Sequence, residues 1–153
     1  MIWPISAFVA GCTPVAVYKE GPRAKAAAVS PRKTWRASGN LRNLKYAFDG
    51  NAASASVSEG YNYENVSITI DLSKPCCFNM IVVEHGPNQL GFCGRLAVMT
   101  SLDGKVFTRR KVSPGTRAVT TVLLDSPVLA RYVRLQAIVP GTRPWSISEL
   151  YLQ

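Results

Sequence analysis

The chain has 153 residues, of which 47% are hydrophobic, and a formal net charge of +9. This length suffices for one domain with a hydrophobic core, and without an apolar window of about 18 residues the sequence predicts no transmembrane segment. Residues 1–45 carry eight basic residues and one acidic residue, whereas residues 46–153 carry ten and eight. The excess basic charge therefore lies in the N-terminal part. It suits an acidic protein surface, a phosphate-rich glycan or lipid, or nucleic acid, although a tail that only aids solubility has the same composition.

Residues 1–34 sustain no hydrophobic period, and four prolines and two glycines interrupt them. We predict an extended basic arm that does not fold by itself. Trp3, Tyr18 and Trp35 are too sparse for a base-stacking platform, which argues against nucleic acid. The favoured partners of this basic, proline-punctuated arm are proteins in a larger assembly.

The first twelve residues, MIWPISAFVAGC, end like a bacterial lipoprotein cleavage box, with Cys12 as the lipidation site. No basic residue precedes the apolar run and Pro4 interrupts it, unlike a signal peptide. An uncleaved apolar arm that packs against a partner is the favoured interpretation, and a lipoprotein is the alternative.

The four cysteines are Cys12, Cys76, Cys77 and Cys93. A zinc site is not expected, because there is no C-x-x-C pair and only one histidine. A disulfide between neighbouring cysteines is strained. We therefore predict free thiols that serve as small apolar residues, which favours a reducing compartment.

From Trp35 onward the sequence predicts short strands separated by turns. Val66–Leu72 alternates with all four apolar residues on one face, and Asp103-Gly104 is typical of a hairpin turn. Further strands are predicted at residues 78–83, 96–101, 106–112, 118–124, 130–138 and 145–152. Seven or so strands with no long helix predict an all-β fold, a two-sheet sandwich or jelly roll, for residues 35–153.

Short connections imply antiparallel neighbours, so that successive loops alternate between the two ends of the sandwich. Residues 59–65, 85–95, 113–117 and 140–145, which we call the top loops, then share one end. They carry the candidate ligand-binding residues Tyr61, Tyr63, His85, Asn88, Gln89, Arg95, Arg117, Arg143 and Trp145. Aromatic rings beside planar donors recognise sugars and other polar ligands. Two alternatives stay open: Tyr63 and Trp145 plug the core, and Arg95 and Arg143 are merely solvated.

Glu149 alternates with Ile147 and Tyr151 in the last predicted strand. On an inward face, its carboxylate needs a cation, an arginine or several donors. Leu150 and Leu152 compete for that face, and a bulge would turn Glu149 outward.

Five segments in order resemble the discoidin domain, also called the type C domain of coagulation factors five and eight, in the galactose-binding-like superfamily. They are AFDGN at residues 47–51, SITIDL at 67–72, TSLDG at 100–104 followed by Phe107, ARYVRL at 130–135, and ISEL at 147–150. The resemblance covers about residues 35–153 and implies a jelly-roll sandwich that binds without catalysis. This chain departs from it at Ala55-Ser56-Val57, where many relatives carry a tryptophan, and lacks the terminal cysteine pair of extracellular members.

Many carbohydrate-binding relatives hold a structural calcium ion. The resemblance carries its ligand positions onto Asp49, Ser54 and Glu149, whose hard oxygens suit calcium. The alternative partner for Glu149 is an arginine such as Arg36 or Arg131, or water.

No G-x-S-x-G elbow, suggestively placed acid pair or phosphate-binding glycine loop occurs, so we expect no enzyme. The favoured function is a subunit of a larger assembly, such as a phage tail or baseplate or a bacterial envelope complex. Residues 1–34 would anchor it, and the discoidin-like domain would serve adhesion or decoration. The alternative is a lectin-like surface protein or lipoprotein that binds a glycan at the top loops. The expected location is a virion or cell-surface assembly, reached from the cytoplasm without a cleaved signal; the alternative is a bacterial outer membrane.

Overall fold

The computed structural model describes residues 28–153, and the first 27 residues of the predicted arm, with Cys12, lie outside the described residues. The described chain contains no α-helix and two 3-10 helices, Arg32–Thr34 and Leu44–Phe48. Its strands are β1 (Arg36–Gly39), β2 (Ser56–Val57), β3 (Ser67–Glu84), β4 (Arg95–Ser101), β5 (Thr108–Pro114), β6 (Val119–Val139), β7 (Ser146–Ile147) and β8 (Glu149–Leu152). The all-β prediction is confirmed.

All strand pairs are antiparallel. The strand order is β1-β3-β6-β4-β5, with β8 on the second half of β3, and β2 and β7 form a separate small sheet. The long strands β3 and β6 thus form the central ribbon of the domain.

Four of the predicted strands are halves of these two long ones. β3 pairs with β6 from Ser67↔Gln136 to Asp71↔Tyr132, again at Cys76–Phe78, and finally from Met80↔Leu123 to Glu84↔Val119. The predicted turns at residues 73–77 and 125–129 are instead a bend in the ribbon, residues 72–76 and 124–130, which we call the bottom bend. Ser73, with a φ of 74°, and Pro75, which donates no ladder hydrogen bond, interrupt the pairing there without ending it.

The bottom bend folds the ribbon back, so that both of its ends reach the same pole. The Asn65 N–H donates to the carbonyl of Ala137 at one end, and the His85 N–H donates to that of Ala118 at the other. Gly94 joins the two ends, donating to the Val139 carbonyl at 2.8 Å and accepting from the Gly115 N–H at 3.3 Å. The top loops therefore meet, as the alternation of strand direction predicts.

The core lies between the two halves of the folded ribbon and its neighbours. Alternate side chains of β3 and β6 point into it, as the period-two pattern requires. The fully buried aliphatic residues of these strands include Ile68, Ile70, Leu72, Ile81, Val133 and Leu135.

The domain begins before Trp35. The boundary predicted from the sequence was Trp35 itself. The Trp35 indole N–H donates to the carbonyl and the hydroxyl of Ser30, and the buried Ser30 hydroxyl donates to the carbonyl of Leu72. Val29 also packs against the core. Because a buried indole N–H needs an acceptor, residues 29–34 belong to the domain and not to the arm.

Cys76 and Cys93 are free and buried, as predicted. Burial raises the pKa of the Cys93 thiol to about 12, so it stays protonated and unreactive at neutral pH. Cys77 is disulfide-bonded, which corrects the prediction of a free thiol at that position.

The boundary is tested by two truncations, one beginning at Val29 and the other at Trp35. The shorter chain loses the Ser30 hydroxyl and Arg32, whose guanidinium pairs with the buried carboxylate of Glu149. Its free energy of unfolding should therefore be lower by at least about 3 kcal/mol. Urea unfolding of both chains measures the difference. Equal stability would place residues 29–34 in the arm after all.

Candidate functional site

Hydrogen bonds between backbone atoms and buried side chains hold the top loops together. The Trp145 N–H donates to the Ser58 hydroxyl at 2.8 Å, and the Ser58 N–H donates to the Trp145 carbonyl at 2.9 Å. The Ser146 N–H donates to the carbonyl of Gly91 at 2.8 Å. Residues from three distant parts of the chain therefore form one surface over the core.

Tyr63 and Trp145 lie beneath this surface, each only 1% exposed. Their rings stack with centroids 6.4 Å apart. The Tyr63 hydroxyl donates to the Phe92 carbonyl at 3.2 Å and accepts the Gly141 N–H at 2.6 Å, and desolvation raises its pKa. Both residues plug the core, so their candidate assignment to ligand binding is corrected in favour of the alternative.

His85 is also 1% exposed. Its Nδ1 lies 2.7 Å from the Ser146 carbonyl and its Nε2 lies 2.7 Å from the Thr120 hydroxyl. Because a carbonyl only accepts, Nδ1 carries the proton and Nε2 accepts from Thr120. Burial lowers the pKa of His85, although the hydrogen bond to Ser146 opposes the shift. The ring is neutral and structural, which corrects its candidate role in ligand binding.

The other candidates at the top loops are exposed. Tyr61 presents 63% of its surface, and Asn88, Arg95 and Arg143 also face solvent. Gln89 accepts a hydrogen bond from Arg117 Nε at 3.3 Å. Leu90, which the sequence analysis did not single out, is exposed beside them.

Three of the exposed residues belong to the loops that meet at the buried Trp145. Tyr61 lies between Ser58 and Tyr63, both of which contact Trp145, and Arg143 precedes Trp145 by two residues. The Asn88 carbonyl accepts the Gly91 N–H, and the Gly91 carbonyl in turn accepts the Ser146 N–H. Arg95 lies on β4, paired with Val139 and Pro114, at the sheet rather than on the loops. Tyr61, Asn88 and Arg143 are therefore exposed residues of loops that are bonded to one another, and we call these three residues the rim.

The predicted calcium ligands are also brought together. Asp49 accepts from the Ser54 hydroxyl at 2.6 Å and from the Asn51 N–H at 3.0 Å. These hydrogen bonds lower the pKa of Asp49, and Glu149 is close enough to contribute. Glu149 is 2% exposed, so of the two orientations that the sequence left open it has the inward one.

The cation beside Glu149 is an arginine. Oε1 of Glu149 is paired with the guanidinium of Arg32, and Oε2 accepts the Gly50 N–H at 2.9 Å. Arg131, one of the two arginines suggested by sequence, pairs instead with Asp71 at 2.8 Å. No group of three or more His, Cys, Asp or Glu side chains within residues 28–153 is arranged to hold a metal. Because the positive charge of Arg32 already occupies Glu149, and all four carboxylate oxygens accept from donors, this set fits a guanidinium better than a divalent ion.

A folded antiparallel sandwich with interlocked loops at one pole defines a jelly-roll domain of the discoidin-like class. The sequence model of the F5/8 type C domain matches residues 25–150. The chain belongs to this family.

Solved structures with the same fold include carbohydrate-binding modules of family 32. The module of Clostridium perfringens NanJ in complex with galactose is 22% identical with a TM-score of 0.71, over 82% of this chain and 97% of the module. A module of the C. perfringens GH89 protein, in complex with GalNAc-β-1,3-galactose, is 19% identical with a TM-score of 0.70, over 80% and 96%. The module of AlyQ, in complex with 4,5-unsaturated mannuronic acid, is 19% identical with a TM-score of 0.65, over 81% and 96%.

No match was found among curated proteins. Within the described part of the chain, no helix is long and apolar enough to span a membrane.

The buried neutral His85 predicts a pH dependence of stability. Its folded pKa lies below its unfolded value of about 6.5, so the unfolded chain binds more protons and stability falls as the pH drops through that value. The slope should approach about 1.4 kcal/mol per pH unit. Urea unfolding between pH 7.5 and 5 measures it.

The control for this experiment is His85→Gln, which removes the chain's one histidine. Its stability should depend less steeply on pH over this range, whatever its absolute value. An unchanged slope would assign the effect to other groups.

Proposed function

We propose that this domain is a non-catalytic carbohydrate-binding module with its sugar site at Tyr61, Asn88 and Arg143. The observation that carries the proposal is the exposure of these three side chains on loops that buried residues hold in place. The fold is shared with modules that bind galactose, a GalNAc-galactose disaccharide and an unsaturated uronic acid.

The three side chains supply complementary chemistry. A tyrosine ring stacks on the apolar face of a pyranose, while a guanidinium and an amide offer planar donors to its hydroxyls. The Arg143 guanidinium makes a hydrogen bond only to the neighbouring Thr142 carbonyl at 3.1 Å among the contacts of residues 28–153. Its remaining donors are free to bind a ligand.

The absence of a catalytic role is part of the proposal. His85 is buried and neutral, and the pKa of the Cys93 thiol is about 12. The adjacent carboxylates of Asp49 and Glu149 are engaged by hydrogen-bond donors. None of these groups is placed to transfer a proton to a ligand at the rim.

We further propose that the module is presented by a larger assembly, anchored through residues that precede Ala28. Ser30 contacts Leu72 and Cys76 at the bottom bend. The strand from Ser67 to Leu72 separates that bend from the top loops by roughly 17 Å. The arm therefore joins the domain at the pole away from the proposed sugar site, an arrangement that suits anchoring at one end and display at the other.

Sugar binding predicts a clear contrast between rim and non-rim variants. On a glycan array, Tyr61→Ala and Arg143→Ala should each weaken binding about tenfold or more, because each removes a direct ligand contact. Tyr46→Ala and Arg109→Ala are matched controls, since both residues are exposed and neither belongs to the top loops. A wild-type protein that binds no sugar, or equal losses in the controls, would contradict the proposed site.

Assembly predicts that the full chain co-purifies with partners and that a chain beginning at Val29 does not. The truncated chain should keep its fold and its sugar binding, because the domain retains Ser30 and Arg32. Cross-linking followed by mass spectrometry compares the two chains. Equal recovery of partners would exclude anchoring by the arm.

A further inference from the structure

We propose that the guanidinium of Arg32 replaces calcium as the structural cation of this domain. It neutralises Glu149 and thereby holds the Asp49 loop, residues 49–54, against β8. The domain then needs no divalent ion to fold.

The buried carboxylate of Glu149 carries a charge that must be balanced. Glu149 is 2% exposed, and a carboxylate buried without a cation is strongly destabilising. Arg32 on Oε1 supplies the positive charge, and the Gly50 N–H on Oε2 supplies a second donor. Both oxygens thus face hydrogens, and a calcium ion on this carboxylate would be repelled by the guanidinium that already occupies it.

Arg32 is held in position by its neighbours. Its guanidinium lies 4.5 Å from the centroid of the Tyr151 ring, a cation–π contact. Its backbone forms the 3-10 helix Arg32–Thr34, and the bonded pair Ser30 and Trp35 flanks that helix. The ion pair is therefore preorganised and partly shielded from solvent, unlike a flexible surface pair.

Glu149 connects the guanidinium of Arg32 to the Asp49 loop. The 3-10 helix Leu44–Phe48 ends at Asp49, and Gly50 turns the chain with a φ of 78°. This turn points the Gly50 N–H at Glu149, while Asp49 binds Ser54 and Asn51 within the loop. Glu149 thus joins the loop and the N-terminal segment through its two oxygens.

Thermal unfolding of the full chain, in chelator and in millimolar calcium chloride, tests the proposal. The wild-type melting temperature should be the same in both, and titration with calcium chloride alone should show no stoichiometric binding. Arg32→Met should lower the melting temperature by roughly 10 °C. Lys33→Met, the control at the neighbouring exposed cation, should change it little.

A double-mutant cycle keeps the test decisive if Arg32→Met is poorly folded. In a Glu149→Gln background there is no buried charge to balance, so Arg32→Met should lower the melting temperature much less than in the wild type. A fall in the wild-type melting temperature on chelation, stoichiometric calcium binding, or equal effects of Arg32→Met in both backgrounds would each overturn the proposal.

Discussion

The fold depends on one constraint: the paired backbone of β3 and β6 must bend with only short breaks in its hydrogen bonding. Pairing stops after Asp71↔Tyr132, resumes from Cys76↔Ala130 to Phe78↔Val128, and resumes again from Met80↔Leu123 to Glu84↔Val119. Interior backbone groups left unpaired by a wider break would be costly. The ribbon therefore folds as a unit and returns both of its ends to one pole. Loops far apart in sequence meet there as a result.

At that pole, buried polar side chains convert proximity into a fixed surface. Tyr63, His85 and Ser58 each bond backbone atoms of another loop or strand. Such bonds hold best when they are shielded from water. The exposed Tyr61, Asn88 and Arg143 therefore project from loops whose backbones the core restrains. Preorganisation of this kind lowers the entropy lost when a ligand binds.

The sequence was sufficient for the fold class and for the grouping of the top loops. Mistaking the bottom bend for two turns did no harm, because a bend and a turn both reverse the chain direction. Residue type could not separate Tyr61 from Tyr63, since ring and hydroxyl suit a ligand and a buried plug equally. The partner of Glu149 was also beyond reach: Arg32 lies 117 residues away, in a segment whose composition resembles an arm.

The Arg32–Glu149 pair fixes the N-terminal segment, residues 29–34, to the sandwich. In an ion-dependent domain, the loop and the last strand are joined by a component taken from solution. Here the joining charge belongs to residues 29–34, so the N-terminal segment completes the sandwich and cannot detach without exposing a buried carboxylate. An anchored arm would be connected to the sandwich through the contacts of Ser30, Arg32 and Trp35. The segment that stabilises the domain is thus also the one that would transmit force from an anchor to it.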